Sequence, residues 1–544
     1  MTTVSAGGFF FGPATIGLAP NLIEYSSATT SEVSGAEAAG TWSVSLMYIS
    51  GGRLYKLDPY TGAMTANVSI DPLTSATFFQ NPNKRNADPL CLSIQDLGAS
   101  AGANRYRLIN WTTRGTSSTF SSRIKSNTTY ARGSLPSLID WNVRLGANVG
   151  QITTAGVWTG HTIEGIDLMT GQSLWNLSLP DEPVYSPVCE LVDQGKVAIL
   201  SGKGYYLAYD LRTGQQAWKS ETMNYPWASA GFGAYSAMSA YGLLLRESMD
   251  GVYAFNWTNG KIQWKYEAPA NPYESPYTGE NGTTVYPFYS FSVGGIIADG
   301  KFYTWTFEHT ESWPLTRGWG LHCIDMFTGK GIWNVTGCST PNAVADGYLT
   351  ASNNYDGCMY VFGKGKSAIT VEAPATAISA GTSVVIKGNV LDLSPAQPGT
   401  PCVSQDSMRT QMDYLHMQLP IDGIFHDVKM TGVPVSLGAY DPNNNWKHIG
   451  DVTTDPYTGT FGYTWETPEI TGQYQITATF LGDASYGSSS AATYAAIVEA
   501  PAEQPAPEIT TETVDNMPVI YTVIGAAIAI IIALAIAVLL LRKR

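Results

Sequence analysis

Three aromatic-rich stretches, 224–235, 273–291 and 308–319, carry the side chains best suited to binding chemistry. Each combines Tyr, Trp or both with Gly and Pro, as long surface connections that carry function often do. We therefore predict a rim that binds a carbohydrate or protein ligand. Its candidate residues are Trp227, Tyr273, Tyr277, Tyr286, Trp313, Arg317 and Trp319. The alternative interpretation is that these rings only pack the connections onto the scaffold.

A second set of residues could accept a covalent modification. The N-glycosylation signal Asn-x-Ser/Thr occurs seven times, always at or before Asn334. Five positions are candidate acceptors: Asn67, Asn127, Asn176, Asn281 and Asn334. The motifs at Asn110 and Asn256 complete the seven, and structure alone can account for Asn256, which occupies a turn-forming position.

Metal and nucleic-acid chemistry find little support. The six Cys and six His residues are dispersed, without a Cys-x-x-Cys pair or a zinc-like spacing, so we expect no metal site. Buried thiols or one or two disulfides are the expected forms of cysteine, and Cys323, Cys338 and Cys358 are near enough in sequence for one bridge. A net charge of −14 would repel phosphate backbones, which argues against a nucleic-acid partner.

The element that must position these residues is a repeated motif, Asp-x-x-Thr-Gly-x-x-x-Trp. An Asp or Asn side chain starts a turn by accepting backbone N–H groups, and Gly supplies the positive φ of a hairpin connection. The Trp ends the next strand with an apolar face to bury between sheets. The motif residues are Asp58, Gly62, Asp167, Gly171, Trp175, Asp210, Gly214, Trp218, Gly260, Trp264, Asp325, Gly329 and Trp333. The first copy has Ala66 at the Trp position.

Strand patterns around each motif predict four antiparallel strands in about 40–45 residues, the spacing of β-propeller blades. Asn110–Gly115 is a looser copy, whose last strand we predict at 138–145 with Trp141. In a blade the first and third hairpins share one face. The three aromatic stretches connect other strand pairs, so we predict that they lie together on the opposite face of the propeller.

The motif resembles the repeat of the PQQ-like β-propeller superfamily. The stretches RLINWTTRG (107–115) and ADGYLTASNNYDGCMYVFGKGKSA (345–368) resemble archaeal membrane-anchored surface proteins with such propellers. The resemblance implies an all-β fold with seven or eight four-stranded blades in residues 1–366. The first 40 residues would add part of an eighth blade or close the ring.

The superfamily includes quinoprotein dehydrogenases and non-catalytic outer-membrane assembly lipoproteins. The resemblance implies that a quinoprotein would need PQQ, a calcium ion, an Asp base, an Arg near the quinone and commonly adjacent cysteines. No two cysteines are adjacent here, and no residue matches those positions one by one. We therefore expect no catalytic residue and no cofactor. A PQQ-dependent oxidoreductase with calcium, or another propeller enzyme, is the alternative function.

A second module follows at residues 367–498. Short strands separated by turns predict an immunoglobulin-like β-sandwich with an inserted segment, 402–432, that contains a short helix near 404–417. The stretch GTFGYTWETPEITGQYQITATFLGDASYGSSSA resembles Ig-like repeats of archaeal and bacterial surface proteins. Asp441 and Asp455 are better explained by turns than by calcium, because an EF-hand's Gly and closing Glu are missing.

The C-terminus reads as a membrane anchor. Residues 499–517 are rich in Pro and acid and predict an extended stalk, and residues 518–541 are apolar and long enough to span a bilayer. The basic end at 542–544 predicts a cytoplasmic C-terminus, which leaves residues 1 to about 516 extracellular. The N-terminus lacks an export signal, so we expect the reading frame to begin upstream. The sequence thus predicts a membrane-anchored cell-surface glycoprotein that acts as a non-enzymatic binding or scaffold protein.

Overall fold

The computed structural model describes residues 22–27, 42–50, 52–70, 73–79, 90–113, 119–183, 190–223, 237–248, 250–269, 289, 291, 294–306, 320–337, 339–353, 357–395, 398–415, 430–500 and 517–542. Strands dominate the described chain, as the β-branched and aromatic content with many glycines predicts. The fold is therefore all-β, with one apolar helix at the C-terminal end.

Seven sheets follow one another along residues 22–362, and within each the strands are antiparallel and in chain order. The first sheet contains β1 (Leu22–Ser27), β2 (Trp42–Ser50), β3 (Arg53–Leu57) and β4 (Met64–Ser69). The second contains β5 (Leu73–Phe79), β6 (Leu90–Asp96), β7 (Tyr106–Trp111) and β8 (Ile124–Tyr130). The third contains β9 (Leu138–Asp140), β10 (Leu145–Thr154), β11 (Val157–Asp167) and β12 (Ser173–Leu179).

The remaining sheets of this region repeat the pattern. The fourth contains β13 (Leu191–Asp193), β14 (Lys196–Leu200), β15 (Tyr206–Asp210) and β16 (Gln216–Lys219). The fifth contains β17 (Ala237–Ala240), β18 (Leu243–Ser248), β19 (Gly251–Asn256) and β20 (Ile262–Glu267). The sixth contains β21 (Ile296–Ala298), β22 (Lys301–Trp305), β23 (Gly320–Asp325) and β24 (Gly331–Thr336). The seventh has three strands, β25 (Ser339–Ala345), β26 (Tyr348–Asn353) and β27 (Met359–Phe362).

Consecutive sheets stack face to face. Each neighbouring pair, from the first and second to the sixth and seventh, shares a buried apolar cluster. The first strands also meet, because β9 contacts β13, β13 contacts β17, and β21 contacts β25. Each sheet thus covers the apolar faces of its neighbours. This is how propeller-like sheets form a continuous core from units that cannot cover themselves.

The two ends of this region differ from the prediction. Residues 22–27, the described part of the first 40 residues, are the first strand of the first sheet and pair with β2 rather than forming part of an eighth blade. The seventh sheet has no fourth strand after β27, because the chain enters the second module within a few residues and Gly365 bridges to Tyr486. Among the residues that the structure describes, this sheet therefore has three strands.

The first hairpin of four sheets uses a two-residue turn with positive φ at both positions. In the fourth sheet Gln194 and Gly195 have φ of 50° and 71°, and in the sixth Asp299 and Gly300 have 49° and 66°. Such turns match the twist of the flanking strands, and they explain why Gly is the second residue each time.

The second module consists of two sheets around one core. One sheet contains β28 (Ser367–Ile369), β30 (Ser383–Asp392) and β33 (Thr460–Glu466). The other contains β29 (Ile378–Ser379), β35 (Ser489–Val498), β34 (Gly472–Phe480), β31 (Pro434–Tyr440) and β32 (Trp446–Thr453). Residues of both sheets, such as Ile386 and Phe461 on one and Leu437 and Ile476 on the other, share the buried cluster. Alternation of apolar and polar residues along each strand places one face inward.

Two helices complete the described chain. The first, α1 (Met408–Leu415), belongs to the inserted segment and follows a 3-10 turn at Gln405–Ser407. It contacts β24, and its Met412 packs against the cluster between the sixth and seventh sheets. The second, α2 (Met517–Leu541), is apolar, exposed along its whole length, and long enough to cross a membrane.

Candidate functional site

The repeated Asp residues form turns between third and fourth strands. Asp58 Oδ1 accepts hydrogen bonds from the N–H groups of Tyr60 and Thr61 at 2.9 and 2.8 Å, and the Gly62 N–H donates to the Asp58 carbonyl. The motif glycines have φ between 69° and 74°, a region that other residues rarely adopt. Asp167, Asp210 and Asp325 accept the same pair of bonds. Hydrogen bonds from the turn N–H groups lower the pKa of Asp58 and of Asp325.

The tryptophans connect each sheet to the next one. The Nε1–H groups of Trp175, Trp218 and Trp264 donate to the carbonyls of Leu211, Trp257 and Met326 at 2.9, 2.8 and 2.9 Å. Each acceptor directly follows the turn-forming Asp or Asn of the neighbouring motif. Each ring also covers the next motif's glycine: a Cβ on Gly214, Gly260 or Gly329 would lie 2.7, 2.6 or 2.6 Å from it. The glycine is therefore required both for its φ and for the space.

The strand partner of each Trp is small. Gly165, Ala208, Ala254 and Cys323 lie opposite Trp175, Trp218, Trp264 and Trp333. In the first sheet, where Ala66 replaces Trp, the opposite residue is the buried Lys56. A large side chain on one strand is thus matched by a small one directly opposite on the partner strand. The residue two positions before the motif Asp or Asn is therefore small wherever the motif has a Trp. The sequence analysis did not use this pattern.

The second sheet corrects one prediction. Its fourth strand is β8, not 138–145, and the register places Ser126 at the Trp position. The ring that packs against Gly171 of the next sheet is instead that of Tyr130, at the end of β8. Trp141 lies instead in the turn between β9 and β10. The prediction was wrong because an aromatic ring is needed between sheets but an indole is not. A search for Trp alone therefore skipped the strand.

The predicted ligand rim lies outside the described residues. This applies to Trp227, Tyr273, Tyr277, Tyr286, Trp313, Arg317, Trp319 and also to Asn281. Their attachment points are described, however. Antiparallel order places the second hairpins and the sheet-to-sheet connections at one end of the sheets, which we call the loop face. The opposite end, with the repeated turns, is the turn face.

One described part of the loop face projects from the scaffold. The β10–β11 hairpin continues beyond the last β12 partner, at His161, and its tip exposes Val157 and Trp158. Ala155 and Gly156 form its turn with positive φ. An exposed Trp beside Thr153 and Thr159 gives the loop face an aromatic contact residue that the sequence analysis did not select.

A buried charged cluster lies under the loop face in the fifth and sixth sheets. Asp250, 1% exposed, accepts from Lys265 Nζ and from the Tyr253 hydroxyl, both at 2.7 Å. Burial alone would lower the pKa of Lys265, but its hydrogen bonds to Asp250 and Glu267 outweigh this and raise it. The fully buried Glu247 accepts from the Gly294 N–H at 2.8 Å and from the Thr304 hydroxyl, so it anchors the connection into the sixth sheet.

A second polar cluster lies at the loop-face end of the third and fourth sheets. Glu182 accepts from Ser201 Oγ at 2.6 Å and from the Tyr205 hydroxyl at 3.1 Å. Fully buried His161 contacts the Glu182 carbonyl through Nδ1 at 2.7 Å, while its Nε2 has no partner among the described residues. Burial also raises the pKa of Glu190, directly before β13, to about 7. Side chains with perturbed pKa values tend to cluster at functional sites, so this end of the sheets is a candidate functional surface.

Charged residues in the otherwise apolar stretch LLLRESMDG, residues 243–251, are the sequence signal that could reveal the first cluster. Charged side chains are costly to bury unless partnered. The sequence analysis did not select residues 243–251, which lie between two copies of the repeated motif.

The cysteines and acidic turns offer no metal centre in the described ranges. There, no group of three His, Cys, Asp or Glu side chains is arranged to hold an ion. Cys323 and Cys402 are buried free thiols, and burial raises the pKa of each to about 12. Cys323 therefore does not form the bridge considered from its spacing. Asp441 and Asp455 each accept backbone N–H groups in turns.

Two surface cavities among the described residues were considered as binding sites. One, of about 560 Å³, lies between Arg132, in the connection from β8 to β9, and Gly171, in the repeated turn of the third sheet. The other, of about 370 Å³, lies in the second module beside Lys447, Tyr463 and Trp465. Arg132 is already engaged by Glu164 and the Gly171 carbonyl, so the first cavity presents no available cation.

A buried histidine gives a pH prediction. His322 Nδ1 lies 3.1 Å from the Tyr266 hydroxyl, and burial, together with the charge of Arg409, lowers the pKa of His322 to about 3. Because the unfolded chain takes up this proton near pH 6.5, stability falls as pH drops from about 6.5 toward 3. We expect His322→Gln to remove about 2 kcal/mol of the stability loss between pH 7 and pH 5. Urea unfolding of both forms at the two pH values measures this, and an equal loss in both would contradict it.

Comparison with known proteins gives a family match over part of the chain and distant structural likenesses. The family model described as outer membrane protein assembly factor BamB matches residues 159–300. BamB from Moraxella catarrhalis is 14% identical, covering 59% of this chain and 88% of that one with a TM-score of 0.30. The computationally designed Ika8 protein is 12% identical, and the match covers 58% of this chain and 95% of that one with a TM-score of 0.29. A europium-containing methanol dehydrogenase is 9% identical, and the match covers 68% of this chain and 84% of that one with a TM-score of 0.30. No curated protein sequence matches significantly.

Proposed function

We propose that this protein is a membrane-anchored cell-surface β-propeller that binds a carbohydrate or protein ligand at its loop face without catalysing a reaction. In this proposal residues 1–366 are a propeller of seven or eight blades, and residues 367–498 are an Ig-like support. The stalk at 499–517 and the span at 518–541 hold both modules above the membrane. In this proposal the protein is a glycosylated surface protein of the archaeal type.

The observation that carries this proposal is the difference between the two faces. At the turn face, the Asp, Gly and Trp residues of the repeated turns are used in turn formation and sheet stacking, and this face also carries the connections 28–41 and 112–123. The loop face carries the two longest connections between strands of the seven sheets, 220–236 and 268–295. The buried clusters around Asp250 and Glu182 lie directly beneath it. A scaffold with variable connections at one end is the usual arrangement of a binding surface.

The anchor and its orientation rest on the C-terminal end. The helix α2 is compatible with a membrane span, and the basic residues that follow favour a cytoplasmic end. With one span, both folded modules would then lie on the outer side, where a binding rim is accessible to ligands.

A binding screen on the full-length protein in detergent tests the function. We expect saturable binding to a glycan or protein on an array, and at least a 10-fold weaker affinity after Trp313→Ala with Arg317→Ala. The matched control is Trp446→Ala, which removes an exposed Trp from the second module and should leave affinity unchanged.

The same preparation separates binding from catalysis. It is incubated with PQQ and calcium, and an artificial electron acceptor is monitored with a panel of alcohols and sugars. Turnover that depends on the added quinone would contradict the proposal and favour the oxidoreductase alternative. Binding without turnover supports it.

A further inference from the structure

The sequons fall into different structural settings, which the sequence alone does not reveal. Asn67, Asn127, Asn176 and Asn334 lie on the fourth strands β4, β8, β12 and β24, the last strands in the order of their sheets. All four occupy the position directly after the Trp site: Asn67, Asn176 and Asn334 in the sequence motif, and Asn127 by strand register, since Ser126 lies opposite Asn110. The fold therefore repeats the sequon at the outer edge of separate sheets.

Three of these side chains are exposed, and their immediate contacts are compatible with modification. Asn67, Asn127 and Asn176 are all exposed. The Oδ1 atoms of Asn67 and Asn127 accept from Arg53 Nε at 2.6 Å and Arg107 Nε at 2.7 Å. These bonds use the amide oxygen, not the Nδ2 atom to which a glycan is attached. The Asn176 Nδ2 group donates to Ser173 Oγ at 3.1 Å in an exposed position.

The other described sequons are enclosed by structure. Asn256 Oδ1 accepts from the Thr258 N–H at 2.7 Å within its turn, and the intervening Trp257 is fully buried. Asn110 lies on β7, between β6 and β8, and precedes the buried Trp111. Asn334 is half-buried on a strand that α1 contacts, opposite the buried His322.

We infer that the native protein carries N-linked glycans at Asn67, Asn127 and Asn176 and none at Asn110, Asn256 or Asn334. The inference rests on the outward orientation given under the proposed function. In the reaction, Nδ2 attacks the anomeric carbon of a lipid-phosphate-linked oligosaccharide donor. The Nδ2–C1 bond forms, the C1–O bond to the phosphate breaks, the lipid phosphate leaves, and one amide proton passes to a base of the transferase.

The placement has a physical consequence for assembly. An outer strand presents unpaired N–H and C=O groups that can pair with another chain. A bulky hydrophilic glycan on the exposed side chains of β4, β8 and β12 would block such pairing on the first three sheets. Glycans at these edges would also leave the loop face accessible to its ligand.

Site-resolved glycopeptide mass spectrometry of the full-length protein from its native membranes tests the inference. We expect glycan mass on the peptides with Asn67, Asn127 and Asn176 and unmodified peptides at Asn110, Asn256 and Asn334. In its native host, Asn176→Gln should remove one glycan mass, whereas Asn334→Gln, the matched control, should change no glycan mass. Bare acceptors at the three exposed sites, or occupancy at the enclosed ones equal to theirs, would overturn it.

Labelling of intact cells with a membrane-impermeant amine reagent keeps this test separate from the orientation. If lysines of the two folded modules are labelled and the three sites are bare, the glycan inference fails and the orientation stands. If they are not labelled and the three sites are bare, both fail. If the glycans are present at the three sites alone, the inference is supported.

Discussion

Replacing Trp218 by Ala is expected to lower the free energy of unfolding by about 3–5 kcal/mol. The side chain is 6% exposed, covers Gly260 of the next sheet, and packs edge-to-face against Trp257 at 6.1 Å. The substitution removes this packing and leaves the Trp257 carbonyl without the indole donor. Both losses fall on the contact between two sheets, so the effect should spread beyond one strand.

Urea unfolding of the full-length protein, followed by tryptophan fluorescence and circular dichroism, measures this change. Trp446→Ala is the matched control, because Trp446 is 53% exposed on β32 and should cost less than about 1 kcal/mol. A loss below about 1 kcal/mol for Trp218→Ala would mean that the indole does not hold neighbouring sheets together.

Replacing Lys265 by Met is expected to cost about 3 kcal/mol or more. The Asp250 carboxylate is almost fully buried, and Lys265 is its cationic partner at 2.7 Å. Removing one member of a buried pair leaves an uncompensated charge, which is more damaging than the absence of both. The double substitution Lys265→Met with Asp250→Asn should recover part of the lost stability, because it removes the stranded charge as well.

Lys301→Met provides the matched control for this pair. Lys301 also contacts an aspartate, Asp299 at 2.8 Å, but that carboxylate is 89% exposed, so the loss should stay within about 1 kcal/mol. Thermal or urea unfolding of all four proteins compares the two ion pairs directly. Equal effects at the two lysines would contradict a buried charged cluster beneath the loop face.

The loop face and the turn face therefore differ in what a substitution changes. At the turn face, a residue such as Gly214 serves the φ of its own turn and the ring of the preceding sheet. At the loop face, Glu247 holds the entry to the next sheet through the Gly294 N–H. Substitutions there should alter the position of the connections, and hence ligand binding, as well as stability.

Local chemistry made much of the fold predictable. The Asp-x-x-Thr-Gly turn depends on a side chain and backbone groups within five residues, so Asp58 and Asp325 behave as their sequence predicts. The apolar C-terminal helix and the strands of the second module depend on equally local patterns. Asp455 forms the same turn in the second module, as the sequence predicts, so the turn by itself does not identify a propeller sheet.

The sequence by itself determined the turns, the strand periodicity and the apolar span, since each depends on neighbouring residues. Only the tertiary structure decided that Tyr130 covers Gly171, that residues 22–27 complete the first sheet, and that α1 contacts β24. It also separated exposed sequons from enclosed ones and brought Asp250 to Lys265. These outcomes depend on contacts between residues distant in the chain. Packing volume and the cost of burying charge select such contacts, and neither is expressed in local spacing.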